Sequence, residues 1–339
     1  MNIYHQVWNV SHTTFPSSGQ LREQIKFVLQ YAVLAPSTHN IQPWLFRIGE
    51  QTCDFLFDPK AQLPYGDKEQ RYSTISIGAA LENFVIACRA FRMNPTVVYM
   101  PGKEVLAQVR VEKSAGFDTE FEGVLTALVE RVNVRGVFEK KSISDEIIDE
   151  FKGAIDTENC TVHICTDAKR INCAAEATAM GLREAHGDKF FRQEMARHII
   201  SNISKSPTGI PGYTMNLPLL FSLIVPKIIY HHDLSAILAK LNYKSIVSAS
   251  AVCVITTKQW DKKSWIEAGR IAERIILHGQ SRKISSSVYV AATEFEDTSK
   301  KIQIMLNTDE RPAFFFCMGY MKKKYKHAQR LTAKQKIIT

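Results

Sequence analysis

Apolar residues at positions 77, 80, 81, 84, 85 and 88 follow the i, i+3, i+4, i+7, i+8, i+11 spacing of a helix with one buried face. Adding 191 to each gives 268, 271, 272, 275, 276 and 279, all of them apolar or Gly. The two segments also share Gly-x-x-x-Glu, as Gly78 and Glu82 in the first and Gly269 and Glu273 in the second. Each is preceded by Asp-Lys, at Asp67-Lys68 and Asp261-Lys262. Strand-like runs flank both, 44–48 and 95–99 around the first and 251–255 and 287–290 around the second. Helical spacing alone recurs everywhere, but a shared order of strand, Asp-Lys, helix and strand predicts a duplicated α+β unit. A further helix is predicted over 21–34, where Ala35-Pro36 stops it. Another covers 146–154, behind an N-cap candidate in Ser142-Ile-Ser-Asp-Glu146.

Composition adds that the chain is globular and forms one large or two ordinary domains. It has 339 residues, 45% hydrophobic and 23% charged, with 16 Gly and 12 Pro, which excludes fibrous and disordered classes. The net charge of +9 is uneven. Residues 321–339 hold six Lys and Arg330 with no acid, leaving +2 for the rest, so the basicity describes a tail. A solvated terminus is the expected reading, and nucleic acid is not an expected partner. The seven cysteines include no CxxC pair and no zinc-like spacing, which points to a reduced, cytoplasmic protein with no bound metal. The N-terminus lacks the basic and apolar regions of a signal peptide. The most apolar stretch, 217–230, is broken by Pro218, Pro226 and Lys227 and falls short of the ~20 residues of a span. It is expected to be a buried or lid segment, with no membrane partner.

Two polar clusters remain. After the predicted helix, Ser37-Thr38-His39-Asn40 and Gln42-Pro43-Trp44 gather donors and acceptors suited to a polar, planar ligand, or simply to a turn. Arg131, Asn133 and Arg135 alternate in a way that suits phosphate, or form a solvated basic stretch. Neither GxGxxG nor GxxxxGK[ST] occurs. His231-His232 are adjacent and do not face one ligand in regular structure. His39 reads as a satisfied loop residue or a donor to substrate, and Glu82 and Glu273 as helix-surface residues or as a pair across the repeat.

Together the clusters resemble the nitroreductase family. Residues 35–46, Ala-Pro-Ser-Thr-His-Asn-Ile-Gln-Pro-Trp-Leu-Phe, look like its APSxxNxQPWxF signature, and Arg131-x-Asn133-x-Arg135-x-x-Phe138 looks like its RRSxRxF opening. Gly78–Asn83, Thr208-Gly-Ile-Pro211 and Phe316-Cys-Met-Gly-Tyr320 are further landmarks. The reversed order of the two motifs, in a chain of double length, is similar to the fused, twin-domain Acg-like branch. The resemblance implies an α+β fold of two halves, 1–120 with the APSTHN segment and 121–339 with the RxNxR segment, fused as a pseudo-dimer. It also implies one FMN shared between them, with NAD(P)H as donor and a small-molecule electron acceptor as partner. Carried over, Pro36, Ser37, Thr38 and Asn40 approach the flavin, and Arg131, Asn133, Arg135 and Arg330 hold its phosphate. Ser285 and Ser286 match a backbone stretch near its N5. Asn133 stands where the family has Ser or Thr, and Ser285 where it has Gly. No catalytic side chain is implied. The alternative is a protein that sequesters flavin beneath the 207–230 segment and turns over little.

Overall fold

The computed structural model describes residues 3–114, 120–153 and 157–339. Ala154, the end of one predicted helix, lies outside them, as do 115–119 beside the expected boundary at 120. The first elements are α1 (Ile3–Gln6), α2 (Leu21–Ala32), β1 (Trp44–Ile48), β2 (Thr52–Phe57), α3 (Arg71–Ala90), β3 (Met93–Tyr99), β4 (Val105–Lys113), α4 (Glu120–Glu130) and α5 (Asp145–Gly153). There follow β5 (Cys160–Cys165), α6 (Ala168–Gly187), α7 (Lys189–His198), β6 (Ile199–Ile200), β7 (Ile210–Pro211), α8 (Leu219–His231) and α9 (Ser235–Val247). The chain closes with β8 (Ala251–Thr257), α10 (Lys262–Ser281), β9 (Ser285–Val288), α11 (Glu296–Leu306), β10 (Arg311–Gly319), α12 (Ala333–Lys336) and β11 (Ile337–Ile338).

The fold is α+β. One sheet has the order β11-β1-β2-β4-β3 and is antiparallel except where β11 joins β1. A second, antiparallel sheet has the order β5-β8-β10-β9. The repeat helices α3 and α10 lie against each other between the sheets, and both are buried along most of their length. Their crossing depends on the matched glycines. A Cβ on Gly78 would stand 2.2 Å from the Ile266 carbonyl oxygen, and one on Gly269 2.0 Å from that of Ile75. Residues 75 and 266 differ by the same 191 as 78 and 269. Two contacts that exchange partners in this way have the form of an isologous interface.

The matched acids are not on a surface. Glu82 is buried, and Arg270 and Arg274 donate to it at 2.8 and 2.7 Å. Burial alone would raise its carboxyl, but the two guanidiniums outweigh that and hold it at about 2. Glu273, also buried, lies 3.3 Å from Arg131. Burial exceeds that attraction and raises its carboxyl. Each acid therefore pairs with arginines, and the two do not bond each other.

Three further expectations change. The fourth strand begins at Ser285 and stops at Val288, because Val290 turns into a short 3-10 helix over 291–293. The basic tail is not simply solvated: Gln329, Arg330 and Lys336 are buried. Lys336 reaches Asp58 at 2.9 Å, and Ile337 pairs beside Phe46. Apolar residues of α4 and Ala333 join the core beneath the first sheet, so helix and tail both pack there. The 217–230 stretch is largely not buried. It forms α8, whose outward side chains include Leu220 and Phe221, because only Ser222 and Ile229 turn fully inward.

Candidate cofactor site

The loop after α2 is built from unusual backbone. His39, Asn40 and Gln42 all have left-handed φ, at 49, 56 and 55°. The Ser37 hydroxyl accepts from the Gln42 N–H at 3.0 Å and closes the turn. The Asn40 amide donates to the carbonyls of Gly209 (2.9 Å) and Gln329 (3.1 Å), and its oxygen accepts from Arg330 at 2.7 Å. Gln42 donates to the Pro207 carbonyl at 2.7 Å and accepts from the Leu331 N–H at 2.8 Å. The motif is thus clamped between 207–209 and 329–331. Pro36, Ser37 and Thr38 lie half-buried at its outer end.

The arginine segment approaches from the other side. Arg131, buried at the end of α4, donates to the Leu34 carbonyl just before Ala35 and faces Glu273. Asn133 forms a parallel bridge with Ser286, and its side-chain oxygen accepts from the Val288 N–H at 2.9 Å. Val134 donates to the Ser286 carbonyl at 3.0 Å, and the Ser287 hydroxyl donates to that of Val134 at 2.7 Å. Arg135 donates to the Val288 carbonyl at 2.9 Å, with its guanidinium 5.7 Å above the Tyr289 ring. Asn133 in place of Ser or Thr therefore stitches its segment to β9. Ser286 is buried, and Ser285 is half-buried at the start of that strand.

The charges at the centre do not balance. Arg131 and Arg330 are 3% and 5% exposed, and Glu273 is the carboxylate that acts on both. Burial first, and then the charge of Arg131, pulls Arg330 down to about 9. Its Nε has no hydrogen-bond partner among the described residues. A buried guanidinium held away from full neutralisation favours an anion. His39 adds a polar atom, since its Nδ1 is buried without a partner. Burial, then His198, Arg135 and His186, push His39 down to about 3, so the ring is neutral at pH 7. The His198 ring stacks on it at 5.6 Å. His39 is thus not the satisfied loop residue expected, since its Nδ1 meets no partner among the described residues.

The 35–46 motif, 208–211 and Arg330 come together here, and Arg131 joins the arginine segment to them at Leu34. Sequence reasoning named Gln42 and Glu273 without their partners here, and it missed Gln329, whose carbonyl accepts from Asn40. It also missed Trp8. That indole donates to the Ala328 carbonyl at 2.9 Å, stacks on His327 at 4.0 Å and lies 5.1 Å from the Arg330 guanidinium. No local signal marks Trp8, which is 320 residues distant from its acceptor. Beside the arginine segment is an open groove of about 500 Å³, lined among others by Arg135, Lys140, Asn216, Lys322, Lys323 and Tyr325. Among the described residues no His, Cys, Asp or Glu group is arranged to hold a metal.

No protein-family model matches the chain. Two curated proteins of Mycobacterium tuberculosis are similar to it, “Putative NAD(P)H nitroreductase MT3217” and “Putative NAD(P)H nitroreductase Rv3131”. Each is 37% identical over 76 residues, which are 22% of this chain and 21% of the relative's length. The likeness thus spans about a fifth of those proteins. Among solved structures, the FMN and NADPH-dependent nitroreductase NfnB from Sphigopyxis sp. strain HMH has 13% identity and a TM-score of 0.44. It is matched over 64% of this chain and 98% of its own. The NADPH:FMN oxidoreductase of Vibrio harveyi has 11% identity and a TM-score of 0.39, over 62% and 74%. The chain is similar to nitroreductases, as its two motifs imply.

Proposed function

We propose that the chain is an FMN-dependent NAD(P)H oxidoreductase of the nitroreductase kind, with halves 1–120 and 121–339 completing one flavin site as a pseudo-dimer. One observation carries this reading: two buried arginines, Arg131 and Arg330, share the single carboxylate of Glu273. Their surplus charge and the free Nε of Arg330 suit a mononucleotide phosphate, which Arg135 borders. Pro36, Ser37, Thr38 and Asn40 would line the ring and its side chain, with Asn133, Ser285 and Ser286 supplying the opposite wall. Bound flavin supplies two-electron transfer from NAD(P)H to a small-molecule acceptor of nitroaromatic or quinone type. The chain itself binds, orients and excludes water. The neutral His39 offers one buried ring nitrogen to whatever lies against the loop. Seven free cysteines suit a reducing compartment, and we place the protein in the cytoplasm.

A second reading, flavin held with little turnover, is favoured by the clamp on Asn40 and Gln42 from both 207–209 and 329–331. Flavin released from purified protein, counted per chain, and anaerobic bleaching by NADPH decide between them. One FMN per chain, bleached, supports the oxidoreductase. One FMN that NADPH does not bleach supports sequestration. None after reconstitution with FMN, or two per chain, rejects the composite site.

A further inference from the structure

Helix α8 turns an apolar side outward. Leu219, Leu220, Phe221, Leu223, Ile224 and Ile228 are between 37% and 71% exposed. In α9, Ile237 and Leu241 are 58% and 59% exposed one helical turn apart. Single exposed apolar residues are ordinary, but a contiguous face of this kind marks an interaction surface. Its rim is basic. Residues 199–250 carry Lys205, Lys227, Lys240 and Lys244, all exposed, against the one acid Asp233.

We propose that this face docks on an anionic lipid surface. The leucines and Phe221 would enter the boundary between headgroups and acyl chains, and the lysines would meet the lipid phosphates. The mode is lying on the bilayer: α8 has 13 residues with Pro226 inside, and no described helix is long and apolar enough to cross a membrane. Charge decides against a second copy as occupant. A two-fold contact would set the patch on itself and bring its lysines against lysines. An anionic bilayer complements both the apolar face and the lysines beside it. The proposal is independent of the flavin reading.

The test is co-sedimentation of the full chain with vesicles of phosphatidylcholine alone and of phosphatidylcholine with phosphatidylglycerol, at low and high salt. The chain is expected in the pellet with the mixed vesicles at low salt, and largely in the supernatant otherwise. Lys240→Gln with Lys244→Gln should weaken partitioning by about fivefold per lysine. Leu220→Gln with Phe221→Gln should weaken it by roughly tenfold or more. All four side chains are exposed, and circular dichroism melts confirm that the variants fold. Wild type remaining in the supernatant with mixed vesicles overturns the proposal. So does unchanged binding of the Leu220→Gln/Phe221→Gln variant, which would transfer the effect to the tail. A wild-type dimer that this variant dissolves, seen by sedimentation velocity, overturns it in favour of a second copy.

Discussion

Substituting Gly269 by Ala tests the crossing on which the molecule is built. The new methyl would begin 2.0 Å from the Ile75 carbonyl oxygen and 2.8 Å from its carbon. Ordinary contact starts near 3.4 Å, so α3 and α10 must part by more than an ångström. The obstacle is backbone, which cannot rotate away as a side chain can. Overpacking costs about 1–3 kcal/mol, and the upper half of that range applies here. Ala regains up to ~1 kcal/mol of helix propensity over Gly. The net expectation is a loss of about 1–2 kcal/mol, and Gly78→Ala should match it. Once either methyl has spread the helices, the second meets less resistance. The double variant should therefore lose less than the sum of the two, by roughly 1 kcal/mol. Gly123→Ala is the control. That glycine is exposed inside α4 with nothing within 4 Å, so the same change should stabilise by up to ~1 kcal/mol. Guanidinium unfolding followed by circular dichroism gives all four midpoints. Stabilisation by Gly78→Ala or Gly269→Ala, or strict additivity of the pair, would refute the close crossing.

Arg131→Ala leaves Glu273 buried without its nearest cation, so it should cost about 3–5 kcal/mol of stability, read as a lower melting temperature; a melt like wild type would show the pair to be dispensable. Arg135→Ala, at a half-buried site, should instead leave the melt nearly unchanged and weaken FMN binding by about one to two decades in a fluorescence titration. His39 and His327 are held at about 3 and about 4, each chiefly by burial, against 6.5 in an unfolded chain. As pH falls below 6.5 the unfolded chain takes up protons first, so stability present above that value is lost on the way down. Between pH 7 and 5 the loss is roughly 2 kcal/mol for each ring, and His39→Gln with His327→Gln should flatten the profile. Lys336→Met strips Asp58 of its 2.9 Å partner and should cost about 1–3 kcal/mol, with faster amide exchange along β1; unchanged exchange there would mean β11 is held without the pair.

Much of the fold was legible because the code involved is local. The periodicity at 77–88 and 268–279 marks α3 and α10, and β-branched runs mark β1, β3 and β8. The repeated Gly-x-x-x-Glu even carried its geometry, since a Gly at 78 and 269 is what lets backbone meet backbone. The partners of Glu82 and Glu273 were not legible, because they arise only when two helices 191 residues apart cross. The tail was misread for a related reason. Lys336 looks like a solvated charge until Asp58 is brought beside it, and Arg330, expected on a phosphate, is also held by Asn40 nearly 300 positions earlier. Apolar composition likewise says nothing of direction: 217–230 is as hydrophobic as a core segment, yet most of α8 faces outward. At the site, the polar loop and the alternating arginines were visible as motifs, whereas the charge imbalance between them depends on burial.

The crossing of α3 and α10 bears on how such a chain can change over generations. In a true two-fold dimer, every interface side chain is written once in the gene and used twice in the structure, so an improvement on one side is imposed on the other. Here the positions related by 191 have separate codons. Glu82 is met by Arg270 and Arg274, whereas the offset equivalents of those arginines are Ala79 and Asn83. Glu273 is met by Arg131, just past α4 and outside the repeat, and by the amide of Asn83. Glu82 is a doubly bridged strut and Glu273 the base of a polar cluster, a difference that two identical subunits could not carry.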